Sequence, residues 1–262
     1  MMRTLWTAAT GMTAQQTNVD TIANNLSNVN NVGFRKSRVL FDDLMYQEVR
    51  RAGAITAAGL EHPTGIEIGL GTKVTAIQKI HSSGSFQYTG NNYDVAIEGD
   101  GYFQIALPDG NIAYTRAGAF QVDGNGNLTT PNGYLIEPAI VIPEDSTQIS
   151  FAEDDTVSVV LPGDEEPTEI GAIELARFIN PSGLHAMGKN LYTVTGASGD
   201  PQVGVPGEEG FGVLAQNILE MSNVNLVEEM VAMITGQRAY EINSKAVQTG
   251  DDMLQIVNNL KR

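Results

Sequence analysis

The positions of proline divide this chain of 262 residues into parts that can and cannot form long helices. All ten prolines lie between Pro63 and Pro206. Proline disrupts a helix interior because its ring clashes with the preceding turn and it has no amide hydrogen to donate. Both ends of the chain are therefore free to form long helices. These ends can build one module only if the middle of the chain is inserted between them.

The amino-terminal end carries apolar residues at the alternating three- and four-residue spacing of a coiled-coil seam. Gly33 follows an asparagine pair, as expected where a helix has ended and the chain needs a left-handed residue. The pattern predicts a helix that stops near Asn30. Asparagines on its polar face are either solvated or fix the register of packed helices. The predicted seam consists of Leu5, Ala8, Met12, Val19, Ile22, Leu26 and Val29, with a polar interruption at Gln15.

A second apolar stripe predicts a helix from about Leu226 to Leu260. Serine and asparagine precede Glu228 and Glu229, which gives a cap and an acidic first turn. Gly236 and Gly250 are expected to weaken this helix. Isolated helices are marginal in water, so we expect both ends to order fully only on assembly. The stripe repeats every seven residues at Leu226, Met233, Tyr240, Val247 and Leu254.

Between these ends the apolar period changes to two, which is typical of β-strands. Turn sequences such as Asp109-Gly110, Asp123-Gly124 and Asn132-Gly133 separate the alternating segments. Short strands joined by short turns favour antiparallel pairing. The predicted fold is α+β and multidomain: the terminal helices pair as a coiled-coil-like module, and a mainly antiparallel β domain is inserted between them. The predicted domains are a discontinuous helical assembly module at 1–45 and 217–262, an extended segment at 46–71 and a β-rich domain at 72–216.

Composition excludes several classes of function. A net charge of −16 opposes binding to nucleic acid or to an anionic membrane surface. The acids are concentrated in 152–174, which holds eight acids and no base and is interpreted as solvated. Cysteine is absent, so disulfides and thiolate metal sites are excluded. The start of the chain lacks the apolar block of a signal peptide, and no apolar run is long enough to span a membrane. We therefore expect no nucleic-acid partner, no membrane insertion and no cleaved signal peptide.

Three motifs that could carry chemistry are better explained as ordinary loops. Residues 183–190 approach a phosphate-binding loop, but Asn190 lacks the hydroxyl and a strand follows where a helix is required. Residues 123–127 have the first spacings of a calcium loop without its later ligands, which favours a hairpin turn. His62, His81 and His185 have no metal-binding spacing and are interpreted as surface or loop residues. No catalytic residue, cofactor or metal site is predicted, although a serine triad assembled from distant residues stays possible from sequence.

Two long terminal motifs resemble those of bacterial flagellar rod and hook proteins. The first is NNLSNVNNVGF from Asn24 to Phe34, and the second includes QRAYEINSKAVQTGDDML from Gln237. Departures from the family pattern are Ser27, Asn31, Ala52 and Gly236, of which Gly236 is expected to loosen helix packing. The motif residues carried over from the resemblance are Asn24, Asn25, Leu26, Asn28, Gly33 and Phe34 at one end, and Gln237, Arg238, Ala239, Tyr240 and Glu241 at the other.

Within this family the chain is most similar to the distal rod members, through 99–120, the overall length and the segment 46–72. The resemblance implies a non-enzymatic subunit of a rigid helical tube that crosses the periplasm and transmits torque from motor to hook. It implies export through the flagellar type III apparatus and contacts with other copies, the proximal rod, the hook, the rod cap and the P and L rings. The alternatives are a hook or proximal rod subunit, or a secreted β-rich hydrolase or ligand-binding module.

Overall fold

The structure is a computed structural model that describes residues 2–53, 63–146, 148–152, 155–162, 167–208 and 210–260. Helices begin and end the described chain, and short strands lie between them. The helices are α1 Met2–Ser27 and α2 Leu226–Leu260, with a 3-10 turn at Pro181–Gly183. The strands are β1 Ser37–Asp43, β2 Tyr46–Arg50, β3 Ile66–Gly69, β4 Thr72–Lys79, β5 Phe86–Tyr88, β6 Val95–Glu98, β7 Tyr102–Ala106, β8 Ile112–Thr115, β9 Gln121–Val122, β10 Leu128–Thr129, β11 Leu135–Glu137, β12 Gln148–Phe151, β13 Thr156–Val160, β14 Thr168–Ala172, β15 Leu175–Arg177, β16 His185–Gly188, β17 Leu191–Thr193, β18 Gln202–Gly204, β19 Val213–Gln216 and β20 Ile218–Glu220.

The chain divides into two compact units. The helical unit comprises Met1–Leu26, Ser37–Gln78 and Asn225–Arg262, and the β unit comprises Ser27–Lys36 and Lys79–Val224. Both ends of the chain therefore belong to the same unit, with the β unit inserted between them, and the predicted α+β architecture is confirmed. The contacts group 37–78 with the helices. The predicted division at residues 45, 71 and 216 stays a prediction.

The first helix is shorter than predicted. It ends at Ser27, and Val29, a predicted seam residue, lies in the turn that follows. Side-chain amides explain the early end because they compete with the helical hydrogen-bond pattern. The Asn31 amide donates to the Asn28 side-chain oxygen at 2.6 Å, and the Asn31 backbone N–H donates to the Asn28 carbonyl at 3.2 Å. Gly33 has a φ of 68°, so the expected left-handed residue is confirmed.

The second helix has the predicted bounds, Leu226–Leu260. Asn225 caps it, because its side-chain oxygen accepts from the Val227 N–H at 3.1 Å. Its carbonyl accepts the first helical hydrogen bond, from the Glu229 N–H at 3.0 Å. Neither described helix has the length and hydrophobicity that a bilayer span requires.

The helical unit also contains two strand pairs, β1 with β4 and β2 with β3. The β2–β3 hairpin is antiparallel and pairs Tyr46 with Gly69 and Gln47 with Ile68. Residues 54–62, which fall between these strands, lie outside the described residues, as does part of the predicted segment 46–71. At the base of the hairpin the Leu44 N–H donates to the Gly71 carbonyl at 2.9 Å. The chain thus enters and leaves the hairpin at neighbouring points.

The strand pairs of the β unit are antiparallel, as predicted. Its largest described sheet has the order β16-β17-β8-β7-β11-β10-β9, with β15 pairing with both β7 and β18. The predicted turns close three of its hairpins or loops. For example, the Gly110 N–H donates to the Leu107 carbonyl at 3.0 Å between β7 and β8. The Gly126 N–H donates to the Asp123 carbonyl at 2.9 Å between β9 and β10.

Strand β7 contributes side chains to apolar clusters on both of its faces. Phe103 and Ile105 belong to the main core, and Tyr102 belongs to a second, mostly aromatic cluster. Burial on both faces explains why β7 is nearly continuous in apolar residues rather than strictly alternating. The main core also includes Val157 and Val159 of β13, so the sheet formed by β12, β13 and β14 packs against it.

Candidate assembly face

Helices α1 and α2 run antiparallel and approach each other at regular intervals. A Cβ added at Gly250 would lie 2.8 Å from the Leu5 Cδ2 atom, and one added at Gly236 would lie 3.1 Å from the Val19 Cγ2 atom. Between these points, a Cβ added at Gly11 would lie 3.0 Å from the Asn243 Nδ2 atom. The contacted residue of α1 rises in number as that of α2 falls, which is the register of an antiparallel pair.

The face of α2 that contacts α1 carries small and polar residues along its centre. We call it the paired face; it contains Glu229, Gly236, Asn243 and Gly250, at seven-residue intervals. A helix without a side chain at the contact allows the other backbone to come close. Gly236 therefore permits close packing rather than loosening it, which corrects the expectation drawn from the sequence. The apolar repeat indicates the neighbouring positions, whereas the seven-residue spacing of glycine and asparagine is the sequence signal for this face.

The predicted apolar seam residues border the paired face. On α1, Ala8 and Ile22 are buried, and Leu5, Met12, Val19 and Leu26 are half-buried. On α2, Met233, Val247 and Leu254 are half-buried, whereas Leu226 and Tyr240 are exposed.

Asn25 ties α1 to both α2 and β1. It is 1% exposed, and its amide nitrogen donates to the Ser37 carbonyl at 2.8 Å and to Glu229 Oε2 at 3.2 Å. Its oxygen accepts from the Ser37 N–H at 2.8 Å. A buried carboxamide satisfied on both of its polar atoms fixes the position of one element against another. Ala14 and Thr21 are also buried on α1 and were not among the predicted seam residues.

The opposite side of α2 exposes several large apolar side chains to solvent. Since successive helical residues are separated by about 100°, Val227 and Ile234 lie on the side opposite Gly236. Val227 and Ile242 are each 67% exposed. Exposed apolar side chains gathered on one side of a helix indicate an interaction surface, here with the charged Arg238, Lys245 and Asp252 between them. We call it the outer stripe; it consists of Val227, Val231, Ile234, Ile242 and Ile256.

The amino-terminal turns of α1 expose a further apolar region. Met2 is 73% exposed and Trp6 is 71% exposed. They form an open groove of about 360 Å³ together with Leu5, Ala9, Met12 and Val247. Large apolar side chains are rarely left so exposed on a protein that functions as a monomer.

The remaining motif residues fall into both units. In the helical unit, Gln237, Tyr240 and Glu241 line a groove with Gln16, Val19 and Asp20, while Arg238 is exposed and Ala239 is half-buried. Asn24 is exposed on α1.

In the β unit, the motif residue Phe34 is buried and the Lys79 ammonium lies 5.2 Å from its ring centroid. The Gly33 N–H donates to the Glu220 carbonyl at 2.8 Å, and a Cβ at Gly33 would lie 2.6 Å from the Ala117 nitrogen.

Sequence patterns did not indicate a buried charge cluster in the β unit. Arg35 Nη1 donates to Glu220 Oε1 at 2.7 Å, and Arg116 Nε donates to Glu220 Oε2 at 2.8 Å. Arg116 also donates to the carbonyls of Gly101 at 2.6 Å and Gly99 at 2.6 Å. Burial raises the pKa of Glu220, but the charges of Arg116 and Arg35 and the hydrogen bonds from Arg35 and Gly84 hold it below its ordinary value. The carboxylate therefore stays ionised inside the protein.

The rejected chemical motifs have structural roles. Residues 183–190 contribute to β16 and to its turn into β17, in which Lys189 and Asn190 have φ values of 55° and 58°. His185 is exposed, and His62 lies outside the described residues. His81 lies in the loop between β4 and β5, in line with the prediction, but it is half-buried there and its Nδ1 lies 2.7 Å from the Tyr102 hydroxyl. Among the described residues, no group of His, Asp and Glu side chains could hold a metal ion.

Family models match three parts of the chain. They are "Flagella basal body rod protein" at residues 5–35, "Flagellar hook protein FlgE/F/G D1 domain" at residues 96–159 and "Flagellar basal body rod FlgEFG protein C-terminal" at residues 215–260. The flagellar basal-body rod protein FlgG of Borreliella burgdorferi is 56% identical over 264 residues, which cover 100% of both chains. The chain belongs to the FlgG family of flagellar basal-body rod proteins.

More distant relatives support the same assignment. FlgG of Caulobacter vibrioides is 46% identical and covers 99% of the chain, and FlgG of Bacillus subtilis is 41% identical and covers 100% of it. In both cases the alignment includes 100% of the relative. The family is structural, so the chain is a rod protein of the flagellar basal body rather than an enzyme. The resemblance identified from the terminal motifs is confirmed, and the hydrolase alternative is not supported.

Proposed function

We propose that the chain is a subunit of the distal flagellar rod, and that copies of it assemble into a rigid helical tube that transmits torque from the motor to the hook. The outer stripe of α2 is the observation that carries this proposal. Fully burying each of its side chains contributes about 1.5 to 3 kcal/mol. A repeated contact of this kind that does not close on itself produces a filament. Other copies of the chain are the proposed partners of this stripe and of the groove at Met2 and Trp6.

The β2–β3 hairpin is a second proposed contact between subunits. Tyr46, Val49 and Ile66 are 55%, 57% and 43% exposed, and every residue of β3 is exposed. A two-stranded hairpin with no covered face is marginally stable in water. Packing against a neighbouring subunit would supply the missing burial. This supports the assignment of 46–71 as the segment that distinguishes a distal rod subunit.

Location and further partners follow from membership of the family together with the resemblance. The chain is a component of the flagellar basal body, where it assembles with other flagellar proteins. We propose more specifically that it lies in the periplasmic part of the rod, between the proximal rod and the hook and inside the P and L rings. Its proposed route is the flagellar type III export apparatus, without a cleaved signal peptide, followed by assembly under the rod cap.

The assembly proposal can be tested with Val247→Asp, which places a charge in the apolar groove beside Leu5 and Met12. Leu26→Asp places a charge at a half-buried seam position near the other end of α1. A buried unpaired charge is strongly unfavourable, so neither variant should polymerise, while the β unit stays folded. The control is Gln248→Asp, an exposed position one residue away. Sedimentation and electron microscopy measure polymer, and circular dichroism measures β structure. Polymers of normal length from Val247→Asp would contradict the proposal.

Deleting 46–70 tests the role of the hairpin. The hydrogen bond between Leu44 and Gly71 shows that the two ends of the deleted segment lie together, so β1 and β4 can remain paired. A distal rod subunit without the hairpin should form shafts that are curved or flexible, as measured by electron microscopy. Straight, rigid shafts would count against the distal rod role of this segment.

A further inference from the structure

A polar pocket of about 210 Å³ lies beside the charge cluster of the β unit. Its walls include two buried arginines, a histidine and a tyrosine from separate parts of the chain. Phe178 and the exposed Asp100 also line the pocket. We call it the Arg35 pocket; its polar lining includes Arg35, His81, Tyr102 and Arg116.

The buried charges around this pocket do not balance. The side chains of Arg35 and Arg116 are 1% and 3% exposed, and both pair with the same carboxylate, Glu220. Among the described residues, neither arginine has an ion pair with a second carboxylate. Lys79 adds a further cation nearby, since its ammonium lies 3.5 Å from the Arg35 carbonyl. Two guanidinium groups on one carboxylate leave a surplus positive charge inside a protein whose net charge is −16.

Two buried nitrogens of the pocket residues have no hydrogen-bond partner in the described structure. Arg35 donates from Nη1 to both Glu220 and the Ser82 carbonyl, at 2.7 and 2.8 Å, but its Nε donates to nothing. His81 uses Nδ1 with Tyr102, and its Nε2 is unpartnered. Buried polar groups nearly always have a partner. Arg35 Nε can only donate and therefore indicates a missing acceptor, and His81 Nε2 needs one as well in the tautomer whose Nδ1 accepts from Tyr102. An arginine edge and an imidazole together suit an oxygen anion.

We propose that the Arg35 pocket binds a carboxylate group. A singly charged anion matches the one positive charge that remains when Arg35 and Arg116 share Glu220, whereas a doubly charged phosphate would be repelled more strongly by Glu220 and by Asp100. A carboxylate also provides two acceptor oxygens for the unpartnered Nε of Arg35 and Nε2 of His81. The source is either a small free carboxylate or an Asp or Glu side chain of another copy, and only the second source rests on the proposed assembly.

His81 reports on occupancy of the pocket. Burial, together with the charges of Arg35, Lys79 and Arg116, lowers its pKa to about 4. An opposite charge within about 5 Å should raise this pKa by about one to three pH units. At about pH 6 the imidazole would then pass from neutral to partly protonated as the pocket fills. The neighbouring rings of Tyr102 and Tyr192 stay neutral at this pH, because burial raises their pKa values.

The monomer experiment uses the full chain, with labelled histidine, below the concentration at which it polymerises. Sodium acetate replaces sodium chloride at constant ionic strength, and the His81 resonances are followed by NMR. We expect a saturable shift with acetate, loss of that shift in Arg35→Met and an unchanged response in Arg51→Met, whose side chain is 82% exposed. Because Arg35→Met also removes a partner of Glu220, His81→Phe provides a second test. Acetate binding should raise the melting temperature of the unmodified chain, and His81→Phe should reduce that rise.

The polymer experiment identifies the source of the carboxylate. If another copy fills the pocket, the His81 pKa should rise on polymerisation without added acetate, and acetate should then have no effect. If the ligand is a free ion, acetate should act equally on monomer and polymer. A His81 signal that is insensitive to acetate in the monomer and unchanged in the polymer would overturn the proposal. Failure to polymerise would count against the proposed function alone, because binding by the monomer needs no second copy.

Discussion

At the scale of single residues, the β unit depends on one carboxylate that two arginines share. Glu220 lies on β20, 185 residues from Arg35 and 104 from Arg116 in the sequence. It also accepts from the Gly84 N–H at 2.9 Å. This single side chain therefore holds together three segments that are distant in the chain.

Replacing Glu220 with Gln should destabilise the β unit strongly. The substitution keeps the size of the side chain but leaves two buried guanidinium groups without a counter-charge. Removing one partner of a buried ion pair costs about 3 to 5 kcal/mol. The free energy of unfolding, from denaturant titration, measures this loss. Glu98→Gln, at the exposed end of β6, should change it by less than about 0.5 kcal/mol. Equal stability of both variants would contradict this view of the cluster.

His81 should make stability depend on pH in a defined window. Its pKa is about 4 when folded and 6.5 in its ordinary state. Between these values the unfolded chain binds more protons, so stability falls as pH falls from 6.5 to 4 and is constant above. The loss is on the order of 3 kcal/mol. His81→Phe, which keeps a ring against Tyr102 and Tyr192, should abolish this slope, whereas His185→Phe should keep it. A wild-type slope in His81→Phe would show that another group titrates.

Glu220 contributes to acid stability in a lower window. Its folded pKa is below the ordinary value of 4.5. Its contribution is therefore complete above that value and is lost as pH falls through the folded pKa. The His81 and Glu220 effects thus act one after the other as acid is added.

The sequence allows only some of these residues to be predicted. Gly33 could be assigned a left-handed conformation because its role is local: an asparagine-rich turn ends a helix just before it. The charge cluster could not be predicted, because arginine and glutamate at such separations carry no periodic or spacing signal. The same holds for His81, since only the fold brings Tyr102 to it.

At the scale of secondary-structure elements, the helices were predictable and their contact was not. Periodicity and the Asn225 cap indicated the bounds of α2, because both are local properties. The apolar repeat predicts a contact at its own positions, yet the closest approach is at Gly236, Asn243 and Gly250. Glycine lowers helix propensity, and that cost is visible in sequence, whereas the close packing that offsets it is visible only in three dimensions. Similarly, strand β7 is buried on both faces, and the alternation of apolar and polar residues in the sequence does not reveal this.

Gly250→Val should disturb the packing of the helix pair. A Cβ there would lie 2.8 Å from Leu5 Cδ2, so either the helices move apart or Leu5 leaves its position. Overpacking of this kind costs about 1 to 3 kcal/mol. The melting temperature of the polymer should fall. Thr249→Val is a matched control because it places the same β-branched residue at the adjacent exposed position. A polymer of Gly250→Val as stable as that of Thr249→Val would show that the approach is not tight.

At the scale of the whole molecule, the two units have different sources of stability. The β unit has a large core of side chains such as Phe103, Ile105 and Val157, which are 0% exposed. The helical unit covers few large apolar side chains and leaves the outer stripe open. Folding of the β unit can therefore be complete in one chain, whereas the helices lack much of the burial that offsets the entropy of ordering them.

Hydrogen exchange on the monomer and on the polymer tests this difference directly. In dilute monomer, amides of α1 and α2 should exchange much faster than those of β7 and β8, since local opening is easiest where few apolar contacts must break. On polymerisation the helices should gain strong protection, because neighbouring copies cover the outer stripe. Ile234→Lys, which charges that stripe without entering the paired face, should prevent the gain and leave the β unit unchanged. Strong protection of both helices in the monomer would mean that the paired face and Asn25 suffice to order them, and that assembly joins subunits already folded.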